Sequence, residues 1–204
     1  MKILILDYHM GNHLSVKKRL DTMGVEAEIS STFDSISKAD KIILPGVGHF
    51  GKAMENLKKL NLIDNLNEAV LIHKKPILGI CLGMQLMAKY SEEGDTEGLG
   101  WFDAEVKRMS PLNKTNHKIP HIGWNSIKAA KANPLLAGLD ECSRYYFVHA
   151  YHLVAANRED ILATTLYESP FTSAIHREQM YGVQFHPEKS HDQGLQMIEN
   201  FIKL

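Results

Sequence analysis

Hydrophobic and polar positions along this chain fall into two textures. In the first half, short apolar runs alternate with amphipathic stretches. Lys2–Leu6 reads as a strand buried on both faces, and His13–Met23 as a basic helix with Leu14, Leu20 and Met23 inward, ended by Gly24. Val25–Ser30 and Lys41–Leu44 read as further strands, the second closed by Pro45-Gly46-Val47-Gly48. Helices are expected at Gly51–Lys59 and Leu62–His73, then a strand at Pro76–Ile80 and a helical stretch over Met84–Tyr90. Strands alternating with helices predict a parallel sheet covered on both faces.

After Gly100 the period shortens. Trp101–Arg108, Tyr145–Val148, His152–Ala155, Ile161–Leu166, Thr172–Ile175 and Met180–Phe185 are β-rich and separated by turns, which predicts an antiparallel or mixed half. Gln193–Leu204 predicts a closing amphipathic helix with Leu195, Ile198, Phe201 and Ile202 inward. No linker, repeat or low-complexity segment interrupts the pattern, so residues 1–204 are expected to form one α/β domain. In such sheets ligands gather at the carboxyl ends of the strands. The turns Asp7–Asn12, Pro45–Gly48 and Cys81–Gly83 are expected there, joined by the turn at His186-Pro187-Glu188.

Two of those turns carry chemistry. Gly79-Ile80-Cys81-Leu82-Gly83 places a cysteine where a buried strand turns sharply into a helix, the arrangement of a nucleophile elbow with sulfur in place of a hydroxyl. A helix N-terminus behind Cys81 favours the thiolate. His186 supplies a base and Glu188 a carboxylate to orient it; Pro187 between them is expected to hold the chain extended so that both side chains point one way. The peptide N–H of Leu82, beside the nucleophile, is one candidate donor to an oxyanion. The glycine-flanked Val47 with Gly48 supplies another. Taken alone each fragment is weak, since a lone cysteine in an apolar strand is usually an inert core residue. Together they predict attack on an amide or acyl carbonyl through a thioester.

Composition narrows the field. A net charge of −1 with 23% charged residues gives no electrostatic footprint for nucleic acid or membrane. No stretch approaches the roughly 20 apolar residues of a membrane span. Cys81 and Cys142 make no disulfide framework, and a reducing cytoplasm is the expected setting. Eleven histidines show no standard zinc spacing; His117 and His121 are separated by Pro120, which disfavours a shared helical face. No metal is expected. With no Walker or Rossmann fingerprint, no phosphate-bearing cofactor is expected either.

With these residues in view, the chain resembles the class I glutamine amidotransferases, whose triad matches Cys81, His186 and Glu188. Within them it is similar to the glutaminase subunits of imidazole glycerol phosphate synthases. The matching stretches run in order over nearly the whole chain: Asp7-Tyr8 with Gly11-Asn12, Leu44–Gly48, Gly79–Leu86, Glu92-Glu93-Gly94, Pro120–Asn125, Tyr146–Tyr151 and Tyr181–Ser190. The resemblance implies a flavodoxin-like domain with a central mostly parallel sheet flanked by helices. It implies hydrolysis of glutamine to glutamate and ammonia without a cofactor, and ammonia passed through a tunnel to a (β/α)8-barrel cyclase subunit. By position Gln85 would contact glutamine, while Asn12, Trp124, Tyr146 and Lys189 would lie toward the partner. His9 stands where the family usually has glycine, and His13-Leu14 is an uncommon pair. Similar subunits feed ammonia to sugar amidotransferases, so that partner, or a non-catalytic regulatory role on the same fold, is the alternative. Glutaminases of anthranilate or aminodeoxychorismate synthesis usually carry histidine where Met84 stands.

Overall fold

The computed structural model describes residues 1–113, 115, 117–140 and 142–204. Its first half contains β1 (Ile3–Leu6), α1 (His13–Thr22), β2 (Ala27–Ser30), α2 (Phe33–Lys38), β3 (Lys41–Gly46), α3 (Phe50–Lys59), α4 (Leu62–Asn67), β4 (Ile77–Cys81) and α5 (Leu82–Leu86). Then come β5 (Ala88–Ser91), β6 (Thr96–Glu97), β7 (Phe102–Arg108), β8 (His121–Ser126), β9 (Lys128–Ala129), β10 (Arg144–His149) and β11 (Tyr151–Ala155). The chain closes with β12 (Ile161–Tyr167), β13 (Ser169–Arg177), β14 (Met180–Val183) and α6 (His191–Lys203). Among the described residues no helix is long and apolar enough to cross a membrane.

One sheet organises these elements, in the order β2-β1-β3-β4-β14-β13-β11-β7-β5-β6. From β2 to β14 neighbours are parallel; beyond β14 they are antiparallel except where β5 meets β7. The change of texture read after Gly100 is this change of strand direction. Alternation along a strand sends residues to opposite faces. Leu4, Leu6, Ile42 and Leu44 pack with Ile36, Leu57 and Leu66 of α2, α3 and α4. Ile3, Ile5 and Ile43 pack with Val16 and Leu20 of α1 and with Met197, Ile198 and Phe201 of α6. The strands β8 and β10 form a separate antiparallel ribbon.

Several expectations need correction. Leu14 is 78% exposed, because Val16 and Leu20, one turn apart, form the buried stripe of α1 and Leu14 lies on the other side. In α6 the buried stripe is Gly194, Met197, Ile198 and Phe201, with Leu195 and Ile202 only half-buried. The helix expected over Met84–Tyr90 stops at Leu86. The carbonyls of Leu86, Met87, Ala88 and Lys89, which a longer helix would use internally, accept instead from the N–H groups of Leu99, Phe102, Gly100 and Gly98. The chain therefore continues as β5. The stretch Leu62–His73 changes from α to π geometry at Glu68. The short helix α2 was not read from the pattern: only Ile36 is buried, and its signal is the Thr32 cap, whose hydroxyl accepts from the Ser35 N–H at 3.2 Å. The strand β8, which carries Trp124, is likewise absent from the pattern.

Candidate active site

The strands β1, β3, β4 and β14 are adjacent and parallel, so their carboxyl ends share one edge of the sheet. The four turns expected to meet do meet there. Cys81, paired with Gly46 across β3–β4, ends its strand at φ 54° and ψ −109°. A non-glycine residue in that region costs on the order of 1–3 kcal/mol and persists only where its surroundings enforce it. The enforcement here is close packing of α5 on β3: a Cβ on Gly83 would lie 1.8 Å from the Leu44 carbonyl oxygen. The helix beyond Cys81 spans five residues, so any stabilisation of an anion comes from first-turn N–H groups rather than a long dipole.

The Cys81 side chain is almost buried. Its Sγ lies 3.6 Å from Gln184 Nε2 and 4.0 Å from the Val148 carbonyl oxygen. His186 is buried beside it, and its Nδ1 lies 2.7 Å from Glu188 Oε1. The carboxylate can only accept when ionised, so it holds the proton on Nδ1 and directs Nε2 toward the sulfur. That Nε2 has no hydrogen-bond partner of standard geometry among the described residues. Burial alone would lower the His186 pKa; the neighbouring Cys81 and Glu188 outweigh it and raise the pKa to about 10. The same two neighbours favour the protonated ring, which would hold a transferable proton next to sulfur.

The expected extended His-Pro-Glu segment is instead a turn. Pro187 starts a single 3-10 turn over Pro187–Lys189, with the Lys189 N–H bonded to the His186 carbonyl at 3.0 Å. Proline suits that first position, since its fixed φ is helical and its missing N–H is not needed. Glu188 thus folds back onto His186. Asn12 Nδ2 donates to Glu188 Oε1 at 3.1 Å, and Arg19 Nε to the Glu188 carbonyl at 2.8 Å. Ser190, which sequence reading did not single out, is buried and donates to the His186 carbonyl at 2.6 Å while accepting from the Tyr146 N–H at 3.0 Å.

Val47, Gly48, Leu82 and Gln85 line one cleft with Cys81, of about 350 Å³, closed by Glu93, Val148 and Tyr151. Gln85 spends both amide protons internally, on the Tyr151 carbonyl at 3.0 Å and Gln184 Oε1 at 2.9 Å. Glu93 and Gln184 were not among the residues picked out from the sequence, although both lie inside quoted stretches. A larger surface cleft of about 710 Å³, lined by Glu92, Arg108, His117 and Lys118, contains none of these groups.

Outside the Cys81, His186 and Glu188 cluster, Trp124 is 41% exposed and stacks on His191 at 4.8 Å with an interplanar angle of 3°. Tyr146 lies edge-on to Trp124 at 5.8 Å, Lys189 Nζ sits 5.7 Å from the Tyr146 ring, and Tyr146 is 6.5 Å from the His186 ring. These residues form one face running up to the buried histidine. Asn12, grouped with them by position, turns its side chain inward to Glu188. His9 has φ 62°, the left-handed form that glycine adopts without cost, so the loop keeps that backbone shape without glycine. Its N–H is held by Asp7 Oδ1 at 2.9 Å.

The chain that carries this arrangement is similar to known proteins over nearly its whole length. The family described as glutamine amidotransferase class-I matches residues 4–204, and the chain belongs to that family of glutamine-hydrolysing enzymes. More particularly, it is 50% identical over 201 residues to "Imidazole glycerol phosphate synthase subunit HisH 2" of Methanococcus maripaludis, covering 98% of each chain. It is 43% identical over 202 residues to the protein of the same name in Pseudomonas aeruginosa, covering 99% of each. Among solved structures, PurLQS from Thermotoga maritima has the same fold, with a TM-score of 0.76 at 15% identity, covering 99% of this chain and 97% of that one.

Proposed function

We propose that Cys81, His186 and Glu188 form the catalytic triad of a glutaminase that serves as the ammonia-supplying subunit of imidazole glycerol phosphate synthase. The observation that carries the reading is the strained Cys81 next to a buried imidazolium that Glu188 orients at 2.7 Å. The thiolate attacks the side-chain amide carbon of glutamine, and the oxyanion lies toward Leu82 and the Val47–Gly48 peptide. His186 gives its proton to the departing nitrogen, which leaves as ammonia. A water molecule, deprotonated by the now neutral imidazole, then attacks the thioester carbonyl; the thiolate leaves, glutamate is released with its carboxyl proton lost to solvent, and the starting thiolate and imidazolium are restored. The free carbonyl of Gln85 and the carboxylate of Glu93 suit the polar ends of the substrate.

The partner is a (β/α)8-barrel cyclase that makes imidazole glycerol phosphate and the aminoimidazole carboxamide ribotide AICAR in histidine biosynthesis, in the cytoplasm. The half-exposed aromatic face of Trp124 and Tyr146, with Lys189 above it, supports docking there, because aromatic and cationic side chains anchor interfaces. Ammonia set free beside His186 would enter that interface without meeting bulk water. A sugar amidotransferase is the second reading of the partner, favoured by His9 and His13-Leu14, which depart from the family pattern in and beside the loop that carries Asn12.

The test uses the complex with the cyclase. Cys81→Ala is expected to abolish glutamine-driven synthesis and leave ammonia-driven synthesis intact. His186→Ala should be nearly inactive and Glu188→Gln partly active, because imidazole moves the proton and the carboxylate positions it. Loss of the ammonia-driven reaction in Cys81→Ala would make Cys81 structural. Recovery of a sugar amidotransferase and no cyclase by the wild-type chain would replace the partner and keep the chemistry.

A further inference from the structure

Gln184 has no exposed surface; it follows the last residue of β14 and sits in the chain between the buried apolar residues Val183 and Phe185. Burying an amide there costs free energy unless each of its polar atoms is matched. Its partners leave one orientation. The Tyr151 carbonyl can only accept, so the Gln85 atom 3.0 Å away is nitrogen. The same nitrogen then donates to Gln184 at 2.9 Å, and the Gln184 atom that receives it is oxygen. The amide nitrogen of Gln184 is left facing Cys81 Sγ at 3.6 Å. A flipped Gln184 would set two amide nitrogens against each other.

Tyr151 is fixed in turn. Its carbonyl also accepts from His149 Nδ1 at 2.8 Å, which leaves His149 Nε2 as an acceptor for His121 Nδ1 at 3.0 Å. An unbroken run of buried and part-buried hydrogen bonds therefore leads from the β8–β10 ribbon to the sulfur.

We propose that Gln184 is a positioning residue for the nucleophile, donating its amide hydrogen to the Cys81 sulfur from a side chain clamped by Gln85. The inference rests on Cys81 being the nucleophile. A donor aimed at sulfur stabilises the thiolate over the thiol. It also holds Sγ on the cleft side of a strained backbone, so that the sulfur does not rotate away from the substrate carbon. Gln85 then has two tasks: its carbonyl is open to the cleft while its amide group locks Gln184.

The readout is the pH dependence of Cys81 alkylation by iodoacetamide, which reports the thiolate fraction. It is measured in the full chain carrying Cys142→Ser, since Cys142 is the exposed second thiol. Gln184→Met keeps the length and removes the donor. Its alkylation midpoint is expected to rise by roughly one pH unit, the effect of one hydrogen bond to a charged group. Glutamine-driven kcat in the partner complex should fall about tenfold at pH 7, with KM within twofold, and should recover at higher pH. Gln184→Glu, which keeps the shape and places a second negative charge at the sulfur, should move the midpoint further in the same direction; it carries the test alone if Gln184→Met fails to fold. A midpoint equal to the parent's in a folded variant overturns the proposal, even if activity is lost. Retention of glutamine turnover in Cys81→Ala would overturn the nucleophile assignment, while the alkylation profile would still report whether Gln184 donates to the sulfur.

Discussion

Asn12 and Glu188 are 176 positions apart in sequence and meet through a 3.1 Å hydrogen bond at the base of the triad. Asn12 also accepts from Ser15 Oγ at 2.5 Å, so its amide is oriented from behind. The first loop of the chain thereby fixes the carboxylate that fixes the base.

Asn12→Ala is expected to reduce glutamine-driven kcat about tenfold, the loss of one hydrogen bond to a charged group, with ammonia-driven synthesis unchanged. Asn12→Asp should be worse, because it sets a second carboxylate against Glu188. Steady-state kinetics with each nitrogen source separates these outcomes; equal loss with both would move Asn12 to the interface.

The Pro45–Gly48 loop, proposed to supply an oxyanion donor, has one fixed end and one free end. Tyr8, fully buried, donates its hydroxyl to the Pro45 carbonyl at 2.8 Å, and the same hydroxyl oxygen lies 2.3 Å from where a Cβ on Gly46 would sit. Val47 is 38% exposed and Gly48 has φ 108°, so the Val47–Gly48 peptide is the part able to turn over. Without a partner to select the competent orientation, the isolated chain is expected to hydrolyse glutamine a few hundredfold more slowly than the complex. That corresponds to the roughly 3–4 kcal/mol of one missing oxyanion donor. Equal rates with and without the partner would exclude the mechanism.

Burial lowers the pKa of His149 to about 3 and that of His121 to about 4, against 6.5 for a free histidine. The unfolded chain therefore takes up protons below pH 6.5 that the folded chain refuses. Stability is expected to fall from about pH 6.5 toward pH 4, by roughly 3 kcal/mol or more. His186 has the opposite sign: its contribution is complete below pH 6.5 and is lost as pH rises through about 10, so it does not offset the acid-side loss. Urea midpoints at pH 7, 5.5 and 4.5 test this; no change between the first two would contradict it.

The meeting of Cys81, His186 and Glu188 was legible because its sequence signals are local. Cys81 announces itself by a strand-to-helix turn between glycines, and His186 with Glu188 by adjacency. What escaped was set by contacts distant in sequence. Gln184 looks like an ordinary strand residue until Gln85 and Cys81 are brought to it. Ser190 has no signal except its place after the motif. The strand fate of Ala88–Ser91 depends on N–H groups from residues 98–102, which no window centred on Met84 contains. Leu14 shows the reverse case, an apolar residue at a plausible helical spacing that the neighbouring Val16 and Leu20 stripe excludes from the core.

The place of β14 in the sheet has a consequence for the order of events in a growing polypeptide. This strand is translated late, yet it lies between β4 and β13, and β4 ends on Cys81, the proposed nucleophile. Until β14 emerges, the ladder edge of β4 has no partner on that side, and the sulfur has neither base nor amide donor. The nascent chain thus carries a silent thiol, and reactivity appears only when the sheet closes, a late and long-range step of the kind that makes folding slow. On the proposed mechanism, closing the sheet and arming the nucleophile are one event.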